Sequence, residues 1–421
     1  MTLRPFALSP DAITIRGRSL NRQEIMTAQA TNLLSGPGDI LCAYIKPYNT
    51  MTNASVDPRV IALNNNEPAS VARFYTMKTP FNSVKQLAVS NFPTIGAGGS
   101  NIAVIDGDDN LWTYGSFSTT SSGFTESWTR VTTFDGNAKK VCLGMGWYMV
   151  LTIDGYVYTH GTGTNYALGT GSTSNVTGWT QILSGCTDIA CRYQTGFAIQ
   201  AVGTLLSWGN NTGYATGLGT TSGATITPTS VGGTDWVGAT VFGAGSGASA
   251  NGAMIVQKAA GTWWNWGTST YVTNGSGAVV NNTTPTQLSG WPSKLASKIL
   301  VTNSQTVVVF QDGTLYGCGY NAGYFFGMTN QTNQTSLNQI GTDTDWKDAF
   351  YNYNAATSGT VYYIKTDGSV WQGGLNQASS VQPFPMSQAS PLNEMFNTGY
   401  KLSASAVTST GWNGLHVVIA G

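Results

Sequence analysis

A short phrase returns along this 421-residue chain about every fifty residues: an acidic or small turn, an apolar stretch, an aromatic ring and a closing glycine. Its first three copies read Asp108-Asp109-Asn110-Leu111-Trp112-Thr113-Tyr114-Gly115, Asp154-Gly155-Tyr156-Val157-Tyr158-Thr159-His160-Gly161 and Gly203-Thr204-Leu205-Leu206-Ser207-Trp208-Gly209. The next three are Gly261-Thr262-Trp263-Trp264-Asn265-Trp266-Gly267, Asp312-Gly313-Thr314-Leu315-Tyr316-Gly317-Cys318-Gly319 and Asp367-Gly368-Ser369-Val370-Trp371-Gln372-Gly373-Gly374. Self-similarity at this period restricts a chain to solenoids, propellers and arrays.

The surroundings of the phrase exclude helical repeats. Before each copy lies an apolar, largely β-branched run, at 102–105, 149–153, 197–199, 254–256, 307–310 and 361–364. Asp-Gly between two such runs predicts a tight hairpin, with positive φ at both central residues. Looser extended stretches follow at 128–131, 179–182, 227–231, 284–288 and 337–340. Short strands in fours, repeated in this way, are the blades of a propeller.

The pattern resembles the regulator-of-chromosome-condensation repeat family, whose blades carry Asp-Gly, a strand ending in Trp-Gly and an Asn-rich turn with Leu-Gly. A degraded form of that last turn follows Asn165 at Leu168-Gly169, Asn211 at Leu218-Gly219 and Asn321 at Phe326-Gly327. The resemblance spans residues 80–421 and implies an all-β, seven-bladed ring. Six copies are complete, so the seventh blade is expected from the chain ends: His416-Val417-Val418-Ile419-Ala420-Gly421 as an inner strand, paired with 38–44, with Ile45 in place of the closing glycine. Such pairing removes two open sheet edges. The expected organisation is an N-terminal arm and helix at 1–36 and a propeller at 37–421, with 37–45 closing the last blade.

In the arm, Asn21 can cap a helix, Glu24 completes a capping box, and Gly36-Pro37 ends it. Ile25, Met26, Ala30, Leu33 and Leu34 supply its packing side chains, read as an anchor on another protein or a cap on the propeller. Residues 46–80 read as a long connection to the first complete blade.

Charged residues make up only 9% of the chain, and 19 Lys and Arg balance 19 Asp and Glu. Scattered cations do not make a phosphate-neutralising surface, so no nucleic-acid partner is expected. Neither an export signal nor a membrane-spanning stretch is visible. The five cysteines, odd in number, read as small buried thiols. A surface of hydroxyls and amides on a chain without an export signal suits a phage virion protein, made in the host cytoplasm and exposed outside it.

No catalytic constellation, metal set or cofactor site emerges. The recurrent Asp108, Asp154, Asp312 and Asp367 are turn residues, His160 and His416 lie in strands, and Gly243-Ala244-Gly245-Ser246-Gly247 lacks the lysine of a phosphate loop. Trp263, Trp264 and Trp266 belong to one strand and read as blade packing. Glu126, Asp235, Asp343 and Asp345 are carboxylates outside the turns, which an enzyme would have to bring together. Tyr214, Tyr324 and Phe325, in glycine-flanked turns, are the candidate binding residues for a host surface glycan or protein. The leading expectation is a non-enzymatic tail-fibre, baseplate or receptor-binding component that meets other virion proteins through residues 1–36. The alternatives are a soluble protein-binding inhibitor or scaffold, and, third, a capsid decoration protein or a glycan-active enzyme.

Overall fold

A computed structural model describes residues 4–5, 14–15, 18–19, 40–45, 72–77, 80–81, 84–89, 102–114, 128–220, 223–237, 253–268, 275, 277, 281–301, 305–321, 326, 332–355, 358–367, 370–375, 383–388, 402–409 and 415–420. The anchor helix, with Ile25, Met26, Ala30, Leu33 and Leu34, lies outside these residues, as do Glu126, Gly243 to Gly247, Tyr324 and Phe325.

Six antiparallel sheets of four strands follow one another, each running through its strands in sequence order. Blade 1 spans 84–131, blade 2 138–183, blade 3 186–230, blade 4 236–287, blade 5 296–339 and blade 6 346–388. Blade 7 is assembled from Leu402–Ser409 and Leu415–Ala420 at one end of the chain and Ile40–Ile45 and Ala72–Met77 at the other. Ile419 pairs with Ile40 and Leu415 with Tyr44, so the two termini share one sheet and close a seven-bladed propeller. Arg4–Pro5 adds a short fifth strand on the outer side of Ala72–Met77.

Two expectations change. Leu402–Ser409 contacts the first strands of blades 1 and 6, which makes it the innermost strand of its blade and Leu415–Ala420 the second. Ala72–Met77 supplies a strand where a plain connection was expected; no Asp-Gly turn precedes it, so local sequence carried no sign of it.

The strand patterns follow from position. Second strands are covered on both faces, and Trp147–Thr152 and Gln305–Phe310 are buried at every residue. Outer strands are mostly exposed and rich in Thr, Asn and Gln. Pro228 and Pro285 fall there, where a missing N–H costs no ladder bond to an outer neighbour. The cores lie between blades. Ile255 and Trp263 of blade 4 pack with Ile299, Val301, Val308 and Phe310 of blade 5, and Met149, Leu151 and Val157 of blade 2 with Ile189, Ala198 and Trp208 of blade 3.

The Asp-Gly turns depart from the expected two-residue form. Gly155 (φ 87°), Gly203 (79°), Gly261 (78°) and Gly313 (77°) have positive φ, but Asp154 and Asp312 do not. Gly155 N–H bonds back to Thr152 O at 3.1 Å, giving a turn closed by one left-handed residue, as in a bulged hairpin. In blade 1 Asp109 (φ 61°) takes the glycine's place.

Candidate binding face

The alternation of strand direction divides the ring into two faces. On the turn face lie the links between second and third strands and the connections from one blade to the next. On the loop face lie the links between first and second and between third and fourth strands.

The ion pairs of blades 2 to 6 among the described residues lie on the turn face and inner strands. Lys258 pairs with Asp235 at 2.9 Å while sitting 4.7 and 5.0 Å from the ring centres of Trp236 and Trp264. Lys365 repeats the arrangement with Asp343 (2.6 Å), Asp345 (3.0 Å), Trp346 and Trp371. Asp235, Asp343 and Asp345 thus act as structural counter-ions. Asp312 accepts from Lys294 Nζ at 2.7 Å, and that bond and those from Thr314 hold its carboxyl down to about 2. On the inner strands, Lys140 reaches Asp188 at 2.6 Å and Lys298 reaches Asp348 at 3.2 Å, each pair joining consecutive blades. Burial raises Asp348 above the usual carboxylate range despite Lys298.

The loop face is built differently. In blades 2 to 6 the described residues of its connections, 144–146, 162–175, 193–194, 211–220, 223, 268, 275, 277, 281, 320–321, 326 and 332–333, include no charged residue or histidine. The nearest cation in sequence is Arg192, which ends the strand Cys186–Arg192.

The links from third to fourth strand in blades 2 and 3 are latched to the following blade. Trp208 Nε1 donates to Ala167 O and Trp266 Nε1 to Ala215 O, both at 2.9 Å. Gly169 and Gly217 lie against those same indoles: a Cβ there would come within 2.8 Å of Trp208 and 2.9 Å of Trp266. This fixes the alignment Tyr166-Ala167-Leu168-Gly169 with Tyr214-Ala215-Thr216-Gly217. The turn in blade 3 therefore uses Thr216-Gly217 where Leu218-Gly219 was expected, because the requirement is a glycine beneath the next tryptophan. In blade 5, Asn321 Oδ1 accepts from Phe326 N as Asn211 Oδ1 does from Thr216 N, and Phe326 fills the packing place as expected.

Tyr214, one of the three sequence-predicted contacts, is half-buried on this face with φ 62°. Its equivalent Tyr166 has φ 58° and was missed; the signal was present as Tyr-x-x-Gly at 166–169, 214–217 and 324–327. Tyr193 (φ 43°), in the neighbouring link of blade 3, accepts from Met145 N and Trp147 Nε1 through its carbonyl, both at 2.7 Å. Between these tyrosines Gln194, 5% exposed, accepts from Asn165 Nδ2 at 2.7 Å and Asn210 Nδ2 at 3.2 Å.

His160 belongs to the core of blade 2: it is buried, its Nδ1 lies 3.4 Å from Gly178 O, and burial lowers its pKa. Trp263 and Trp266 are fully buried on opposite sides of their strand, and Trp264 lies under Lys258. Among the described residues no group of three His, Cys, Asp or Glu could hold a metal, and no helix is long and apolar enough to cross a membrane.

Neither a protein family nor a curated relative matches the sequence. Solved structures do match the fold. Yeast RCC1 (Prp20), in a structure with Kap60, aligns with a TM-score of 0.63 at 14% identity over 99% of this chain and 97% of its own. Human WBSCR16 aligns at 0.62 and 14% over 91% and 100%, and Prp20p from Saccharomyces cerevisiae at 0.59 and 15% over 95% and 94%. These similarities establish the class of the protein, a β-propeller of the RCC1 type in architecture.

Proposed function

We propose that this chain is a non-enzymatic virion protein of a phage, a tail-fibre, baseplate or receptor-binding component assembled in the host cytoplasm. Residues 1–36 attach it to other virion proteins, and the loop face is presented outward. The observation that carries the reading is the segregation of chemistry between the two faces. On the turn face Lys258, Lys294 and Lys365 are neutralised in ion pairs, whereas the described loop-face links of blades 2 to 6 carry no charged side chain, a surface suited to binding without charge. The ion-paired lysines also leave little cationic surface for nucleic acid.

A second reading, a soluble propeller that clasps a single protein, is favoured by the solved structures of Prp20, which is bound to Kap60 in one and binds Gsp1p and histones. Localisation in purified particles separates the two. Under the first reading the intact chain is in the particles, and a variant lacking residues 1–36 is folded but absent from them. Under the second, the protein is absent from particles and elutes as a monomer or with one partner.

A further inference from the structure

We propose that the loop face of blades 2 and 3, around Tyr166, Tyr193 and Tyr214, is a binding site for an uncharged saccharide. The inference rests on the reading of this face as the presented one and names its ligand class.

Strained backbone carries it. Six non-glycine residues have positive φ among the described residues, and four of them, Asn165, Tyr166, Tyr193 and Tyr214, gather here. A left-handed backbone disfavours any side chain with a Cβ and a bulky ring most of all. Glycine would satisfy the geometry at 166 and 214 without strain, yet tyrosine occupies both, and 324 in the matching place of blade 5. Strain of this kind, held by surrounding hydrogen bonds, collects where a side chain is needed for contact.

The chemistry around the rings selects the ligand. Asn165, Gln194 and Asn210 form a connected amide cluster. Half-buried tyrosines beside hydrogen-bonded amides suit a sugar, which offers C–H faces and a rim of hydroxyls. Within these described links no cation supplies the attraction that an anionic glycan would need. A contiguous exposed apolar patch would instead mark a site for a protein partner. Among the described residues the exposed large hydrophobics lie elsewhere: Ile153, Tyr156, Val202, Val237 and Leu295 on the turn face, and Ile226 on an outer strand.

The test uses the full chain against neutral hexasaccharides of glucose, mannose, galactose and N-acetylglucosamine, with a heparin hexasaccharide as the charged control. Saturation-transfer NMR and calorimetry are run at about 50 and about 500 mM salt, either side of full screening. The expected result is binding of at least one neutral sugar with unchanged affinity at high salt and saturation transfer centred on tyrosine rings. The double variant Tyr166→Gly/Tyr214→Gly should lose at least tenfold in affinity while melting no lower than the parent does. Should that variant unfold, Tyr166→Asn/Tyr214→Asn, which also tolerates the left-handed backbone, replaces it. Binding to heparin alone, to no neutral sugar, or undiminished in the folded double variant overturns the proposal. None of these outcomes alters localisation in particles, so failure here is distinguishable from failure of the virion reading.

Discussion

Backbone handedness decides what a single residue is worth in this chain. At Gly313 (φ 77°) an added Cβ would lie 1.8 Å from Thr344 O, so Gly313→Ala meets both left-handed strain and a backbone clash. A loss of roughly 1 to 3 kcal/mol is expected, read from urea unfolding. Asp109 is the opposite case. Glycine in its place relieves strain at φ 61° and removes only an exposed ion pair with Lys85, so Asp109→Gly should be stabilising by up to about 1 kcal/mol in the same assay. Asp312 supplies a pH signature. Its carboxyl sits near 2, against 3.8 ordinarily, so its contribution is present above about pH 4 and is lost as pH falls through 2. NMR titration should show this, and Lys294→Met should return the carboxyl toward its ordinary range.

Between blades, the inner-strand ion pairs act as staples around the axis. Lys298→Met would leave Asp348, already raised by burial, with the Ala349 N–H but without its cation. A raised carboxyl costs stability above its pKa and ceases to do so once protonated. The variant should therefore lose about 2 to 3 kcal/mol at neutral pH and less at pH 4, and adding Asp348→Asn should restore part of the loss. The tryptophan latches show why only some of the candidate face was legible. Trp208 and Trp266 stand out in the repeat, but that each bonds to the preceding blade's loop is a relation between sheets. The sequence register therefore settled on Leu218-Gly219, the better local match, and Tyr166 passed unnoticed beside Leu168-Gly169.

For the molecule as a whole, closure is the controlling event. Blade 7 joins residues nearly the full chain apart, and its central pairing, Leu415–Ala420 with Ile40–Ile45, is what turns six local hairpin sheets into a ring. Removal of residues 415–421 would leave two unpaired edges facing each other across a gap. The expected outcome is association on size-exclusion chromatography and loss of a single cooperative melt, whereas a chain lacking only residues 1–3 should melt as the parent does.

The sequence by itself determined the blades: Asp-Gly turns, buried β-branched runs and polar outer strands are local patterns with local causes, and the missing partner of the last hairpin announced that the ends must meet. Tertiary structure decided what depends on neighbours. It placed Ala72–Met77 in the closing sheet and Leu402–Ser409 at the axis, since those strands are defined by what they pair with and not by a turn. It also gathered Tyr166, Tyr193 and Tyr214, from three separate links, onto one uncharged face, because alternating strand direction sends every such link to the same side of the ring.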